Sequence, residues 1–317
     1  MSRSEEDKFF DTALVAVRSA GRIVKEAFEH PTSEVQTKAN AQDLVTETDQ
    51  KVEKLLISSL RRAFPNHKFI GEETTSAGEK LHWTDEPTWL IDPVDGTTNF
   101  VHRIPHIAIC VALSIGREIR AGIVYNPILD ELYTARKGLG AFKNGFPIRT
   151  SETTSLSQAV LAMTYGRHNI GLFDNWFETA GKNFRASLLL AGISEAVLAY
   201  QLGGSQRQKA VIDLFRDNQM AFVDKDVRGI RSFGSCALNM CYVAEGALDA
   251  YVEYGVHCWD MAAAGCVVLE AGGRFTDPAG GPVDIMRRCV LTAGTEELRK
   301  ELSDTLTHVT FPSEEGQ

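Results

Sequence analysis

Asp92-Pro93-Val94-Asp95-Gly96-Thr97-Thr98-Asn99 decides how this chain is read. It follows Trp89-Leu90-Ile91, an apolar run that predicts the end of a buried strand. Two carboxylates stand three residues apart on a turn stiffened by Pro93 and relaxed by Gly96, and two hydroxyls follow at once. Aspartate oxygens bind hard divalent cations, a backbone carbonyl between them adds another oxygen, and a threonine can hold a water at the ion. Taken alone, the stretch reads equally well as an Asx-rich turn that caps the next helix.

Three more chain segments carry acids at their ends. Phe69-Ile70-Gly71-Glu72-Glu73 is an apolar run ending in carboxylates, and the run from Val252-Glu253 to Trp259-Asp260 is another. Leu44-Val45-Thr46-Glu47-Thr48-Asp49 places an acid at the head of a helix. Several ionised acids share a cleft only with a compensating cation; otherwise their pKa values are driven upward. Mg²⁺ suits such a set, because it takes carboxylate, water and phosphate oxygens. Gly96-Thr97 and Gly234-Ser235-Cys236 both read as helix starts, where backbone N–H groups favour anions. His257 and Cys258 are adjacent on an extended segment, point to opposite sides and read as structural.

With 317 residues, 44% of them hydrophobic, the chain can build a sizeable core as one large domain or two small ones. Its net charge of −9 repels phosphate backbones, so nucleic acid is not an expected partner. It also repels a phosphorylated substrate unless cations sit in the cleft. The six cysteines form no CxxC pair and read as buried free thiols in a reducing cytosol. The polar start Met1 to Asp7 is no targeting peptide, and no apolar run reaches membrane-spanning length, so a soluble cytoplasmic protein with no membrane partner is expected.

Periodicity predicts helices over about 7–29 and 52–63, then strands at 68–71, 88–92, 107–115, 119–125 and 131–136. Short loops between these strands predict an antiparallel meander rather than repeated βαβ units. The second half alternates, with helices near 206–220, 235–245, 260–271 and from Thr295 to about 306, and strands at 248–253, 274–277 and 289–293. The polar residues 312–317 read as a disordered tail.

Gly71-Glu72-Glu73, Asp92 to Asn99 and Trp259-Asp260-Met261-Ala262-Ala263-Ala264-Gly265 occur in this order, after Asp43-Leu44-Val45-Thr46 and Thr48-Asp49. In this the chain resembles the inositol monophosphatases, of the magnesium-dependent, lithium-sensitive phosphatase superfamily, over nearly its whole length. The resemblance implies an α+β fold, a layered αβαβα sandwich of the sugar/inositol phosphatase type. It implies one catalytic domain over 1–311, with two subdomains around one cleft. It implies Mg²⁺ held by Glu72, Asp92, Asp95, Asp260 and the carbonyl of Val94. Thr97 and Asp49, with Glu72, become the catalytic residues, orienting a metal-activated water for in-line attack on phosphorus. Substrate contacts fall to Glu72, Val94, Asp95, Gly96, Thr97, Gly234, Ser235, Cys236, Glu253 and Asp260. Glu253 matches a residue that accepts hydrogen bonds from ring hydroxyls, and Lys38 a position near the metal. The implied reaction is hydrolysis of myo-inositol monophosphates to inositol and phosphate, within inositol phosphate metabolism and phosphatidylinositol signalling, by a homodimer. One alternative is a related phosphatase acting on a sugar phosphate or a nucleotide 3′-phosphate. Another is an inactive regulator that binds phosphorylated polyols, against which the intact acid set and Thr97 argue.

One segment departs from the family pattern. Ser157-Gln158-Ala159-Val160-Leu161-Ala162 recurs as Ser194-Glu195-Ala196-Val197-Leu198-Ala199, which sets off an extra segment at about 163–199. Chance similarity of a short apolar motif and a gene-model artefact are the alternatives. Two copies compete for one strand position, and a packed sheet admits only one backbone there. The intervening segment is expected at the periphery, with no catalytic residue.

Overall fold

The computed structural model of the chain describes residues 5–29, 35–37, 44–167, 202–204 and 209–315. Helix α1 (Glu5–Glu29) buries Phe9, Ala13, Val17, Ala20 and Val24 along one stripe, as their spacing dictates. The short strands β1 (Val35–Thr37) and β2 (Leu44–Thr46) pair antiparallel and lead into α2 (Glu47–Ala63), which buries Val52, Leu56 and Leu60. Then come β3 (Lys68–Gly71), α3 (Glu72–Ser76), β4 (Thr88–Asp95) and α4 (Thr97–Val101). β5 (Ala108–Ile115), β6 (Glu118–Asn126), β7 (Glu131–Arg136), β8 (Ala141–Lys143) and β9 (Phe146–Pro147) complete a seven-stranded sheet in sequence order from β3 to β9.

From β4 onward this sheet is the expected antiparallel meander, but β3 and β4 run parallel. The stretch 72–87 between them is long enough for the crossover that parallel pairing demands. The correction matters for the site. Parallel strands end at the same edge, and Gly71 pairs with Ile91, so Glu72 and Asp92 emerge side by side.

The second sheet holds β10 (Val160–Arg167) and β11 (Leu202–Gly204); after α5 (Lys209–Asp224) come β12 (Gly229–Arg231), α6 (Cys236–Ala244), β13 (Ala250–Tyr254) and α7 (Cys258–Glu270). β14 (Arg274–Thr276), β15 (Cys289–Ala293) and α8 (Glu296–Thr305) close the chain. The strand order is β11-β10-β13-β15-β14, and β12 also pairs with β10.

Strand alternation then builds the layers. Trp89, Ile91, Ile109, Val111 and Leu113 of the first sheet pack on α1 and α2. Leu90, Cys110, Ala112 and Val124 on its other face pack on α6 and α7, which meet Tyr251, Phe275 and Val290 of the second sheet. Leu161, Val252 and Leu291 on the far face pack on Leu298 and Leu302 of α8 and on Phe222 of α5. The result is the expected αβαβα sandwich. Both faces of each sheet are covered, which is why every residue of β4 is buried. No helix among the described residues is long and apolar enough to cross a membrane, and all six cysteines are free and buried.

Two boundaries are corrected. The first copy of the repeat fills the strand position: Leu161 to Tyr165 pair with Ala250 to Tyr254 of β13. Residues 163–167 therefore continue β10, and Met163 is 1% exposed, so they are no part of an appended segment. The second copy and the rest of the extra segment lie outside the described residues, as does Lys38. The tail expected to be disordered is instead tied down through Glu315. Phe311 is buried, the Glu314 amide donates to the Met286 carbonyl, and the Glu314 and Glu315 carboxylates pair with Arg288 and Arg117. The carboxylates of this polar tail find a half-buried arginine, Arg288, and an exposed one, Arg117.

Candidate active site

Side chains three apart on a regular strand point to opposite faces. Asp92 and Asp95 escape this rule through a β-bulge. Asp92 pairs with Cys110 and Asp95 with Ala108, so three steps along β4 match two along β5. The extra residue flips the alternation. Val94 joins Trp89 and Ile91 on the α1/α2 side, which returns Asp95 to the α6/α7 side with Leu90 and Asp92. Gly96 then turns the chain into α4 at φ 91, where a Cβ would lie 2.9 Å from the His106 carbonyl oxygen and 3.1 Å from that of Gly234. The Thr97 hydroxyl donates to the Val94 carbonyl at 3.2 Å. The Asn99 amide donates to the carbonyls of His106 and Phe233 at 2.8 and 2.7 Å, which ties this motif to the loop before α6.

Asp95 is buried at the N-terminus of α6. Its Oδ2 accepts from the Ser235 hydroxyl at 2.5 Å and the Ala237 amide at 2.8 Å, and its Oδ1 accepts from the Cys236 amide at 3.3 Å. Ser235 also caps the helix, accepting from the Leu238 amide at 3.1 Å. This corrects the expectation that the amides of Cys236 and its neighbours are open to an anionic substrate. The anion at this helix end is Asp95 itself. Burial pushes its carboxyl up to about 6, and the three donors hold it from rising further.

Asp260 stands at the third position of α7, not at its cap. The cap is His257, whose backbone amide donates to Asp260 Oδ2 at 2.8 Å. Glu253 lies buried on β13, held by the hydroxyl of Tyr251 two residues back on the same face and by the Cys236 thiol. Glu72 opens α3, and Asp49 lies buried in the first turn of α2.

The charges show that these acids converge. Burial pushes the Asp92 carboxyl well above its ordinary range, and repulsion from Glu72, Asp95, Asp260 and Asp49 pushes it further. Asp260 is raised by burial and by Asp95 and Glu72, and Glu253 by burial and by Asp260 and Asp95. Asp92 Oδ1 is moreover buried with no hydrogen-bond partner. An orphaned carboxylate oxygen among four acids, with the Val94 carbonyl two residues along the chain, is an all-oxygen donor set that fits Mg²⁺. Among the described residues no three such side chains already close into a ligand shell.

Sequence reasoning missed Glu53, which is buried one turn after Asp49 on the face of α2 that carries Val52 and Leu56. Acids at i and i+4 among buried positions were the signal. It also missed Arg288 and Glu314, which meet beside His257.

The chain matches the model of the inositol monophosphatase family over residues 5–310. It is 40% identical to inositol monophosphatase 1 of Homo sapiens over 293 residues, 92% of each chain. It is 36% identical to inositol monophosphatase 2 of Mus musculus over 305 residues, 96% of this chain and 92% of that one. Among solved structures it resembles the extragenic suppressor protein suhB of Bartonella henselae, with a TM-score of 0.73 at 30% identity over 94% of this chain and 98% of that one. A Thermotoga maritima IMPase gives 0.72 at 26% identity, with 93% and 95% covered. With the bulged Asp92–Asp95 turn, the acid set around it and the five-layered fold, these matches establish that the chain belongs to the inositol monophosphatase family.

Proposed function

We propose that the protein is a Mg²⁺-dependent phosphomonoesterase that releases inositol and phosphate from myo-inositol monophosphates. The observation that carries this reading is Asp92, a buried carboxylate with one partnerless oxygen amid four other acids. Glu72, Asp92, Asp95, Asp260 and the Val94 carbonyl would hold the metal. When bound, Mg²⁺ supplies charge compensation for phosphate oxygens and lowers the pKa of water.

The chain's own groups do the rest. The Thr97 hydroxyl donates its hydrogen bond to the Val94 carbonyl, which leaves its lone pairs to accept from a water. Asp49, buried in the first turn of α2, would take that water's proton as its oxygen bonds to phosphorus and the bond from phosphorus to the inositol oxygen breaks, the leaving oxygen taking a proton from solvent. The first amides of α4, at Thr97 and Thr98, have no partner within the helix and receive phosphate oxygens. Glu253, fixed by Tyr251 and Cys236, accepts from ring hydroxyls and so favours a polyol. Ser235, through its hydroxyl, and Cys236, through its amide, serve the site by holding Asp95 rather than by binding substrate.

Lithium sensitivity, a cytoplasmic location and a homodimer follow from the family resemblance; six buried free thiols support a reducing compartment. The test is phosphate release from inositol 1-phosphate, fructose 1,6-bisphosphate and adenosine 3′,5′-bisphosphate, with Mg²⁺ and with EDTA. Preference for the inositol ester and silence in EDTA are expected. Activity that survives EDTA would sink the metal assignment, and preference for another ester would move the protein to a different branch. Lithium should inhibit uncompetitively; an active enzyme insensitive to it would refute that part. Sedimentation velocity tests the dimer.

A further inference from the structure

Glu53 is a buried carboxylate that the proposed chemistry does not use. It is 2% exposed, and burial raises its pKa while the amides of Glu73 and Thr74 work against that rise. Its Oε2 accepts from the Glu73 amide at 2.7 Å and its Oε1 from the Thr74 amide at 2.9 Å. These are the first amides after Glu72. Helix α3 has five residues, buries none of them, and starts at Gly71 with no side-chain cap of its own. A helix that short does not hold itself in water, where about 12 residues are the minimum. Glu53 therefore acts as its cap from another element, with charge-assisted bonds and a negative charge at the helix's positive end. The approach is close: a Cβ on Gly71 would lie 2.6 Å from the Glu53 carboxyl carbon.

We propose that Glu53 is a positioning residue for the metal site: by gripping the amides of Glu73 and Thr74 it fixes the first turn of α3 and so aims Glu72 at the ion beside Asp92. The proposal rests on the reading of Glu72 and Asp92 as Mg²⁺ ligands. A glutamine at position 53 offers one acceptor where two amides need two. Glu53→Gln should therefore weaken Mg²⁺ binding, measured by calorimetry on the metal-free protein, about 10- to 100-fold, as loss of an outer partner does in metal sites. Hydrogen exchange should accelerate at the amides of Glu73 and Thr74 and stay unchanged in α7. In a Glu72→Gln background the same substitution should add no further loss of affinity. Gly71→Ala, which displaces the carboxylate without removing it, should weaken Mg²⁺ in the same way and serves if Glu53→Gln does not fold. Unchanged Mg²⁺ affinity with faster exchange at Glu73 and Thr74 would reduce Glu53 to a mere cap and overturn the proposal. An equal loss in the Glu72→Gln background would overturn the route through Glu72. No Mg²⁺ binding by the unmutated protein would refute the metal site, and this proposal with it.

Discussion

Ser235→Ala removes two bonds with one atom. Ser235 is 1% exposed, so water cannot replace what is lost. Its Oγ caps α6 at Leu238 and donates to Asp95, at 3.1 and 2.5 Å. Loss of a serine cap costs about 1 kcal/mol. The bond to Asp95 is charge-assisted at pH 7, since a carboxyl pushed up to about 6 is still mostly ionised there. Hydrogen bonds to charged groups contribute about 1.5–3 kcal/mol, so the two losses together come to about 3 kcal/mol, over a hundredfold in the folding equilibrium. Urea unfolding in EDTA, followed by circular dichroism and tryptophan fluorescence, measures it. Asp95 then keeps only the amides of Cys236 and Ala237, so its pKa climbs and the deficit should be larger at pH 7 than at about pH 4.5. Ser235→Thr keeps the hydroxyl and should lose about 1 kcal/mol at most. A loss below about 1 kcal/mol in the alanine variant, or equal losses in both, would refute this account of α6 and Asp95.

Asp92→Asn removes a charge from a repelling cluster, so it should raise the thermal midpoint in EDTA while abolishing the stabilisation by Mg²⁺ and cutting turnover by orders of magnitude; calorimetry and phosphate release check both. Asp95 holds its proton to about pH 6 when folded, against an ordinary 3.8, so its contribution to metal-free stability is greatest below about pH 4 and falls by about 3 kcal/mol as pH rises to about 6. His67 and His106, lowered by burial, run the other way, so the contribution is read as the difference between wild type and Asp95→Asn in urea, and a flat difference would contradict it. Glu314→Gln leaves Arg288, whose side chain is 12% exposed, without its carboxylate and should cost about 3 kcal/mol; an unchanged urea midpoint would show that the tail pairing is decorative.

The acids at strand and helix ends were legible in the sequence because each stands beside an apolar run, and binary pattern is a local property. The strands from β4 to β7 were legible for the same reason. The bulge at Pro93-Val94 was not, since only pairing with β5 shows that one residue is in excess. Nor was the fate of the α6 amides: the carboxylate that occupies them comes from a distant strand, and the local pattern Gly234-Ser235-Cys236 signals only an anion. Glu53 left a trace, an acid among apolar helix positions, but its partners lie on α3. The tail failed for the opposite reason, because a polar run reads as solvated until the arginines that meet it are placed.

Asp95 takes its hydroxyl donor from a residue 140 positions further along the chain. During synthesis the bulged turn therefore leaves the ribosome long before the helix that holds it. Until residues 235–237 follow, Asp92 and Asp95 are two acids at the end of a sheet, with neither cap nor counter-ligand. The metal site is completed only once α6 and, with Asp260, the start of α7 have been made. Two separately expressed halves, divided before α6, should each lack the site and regain it only on association.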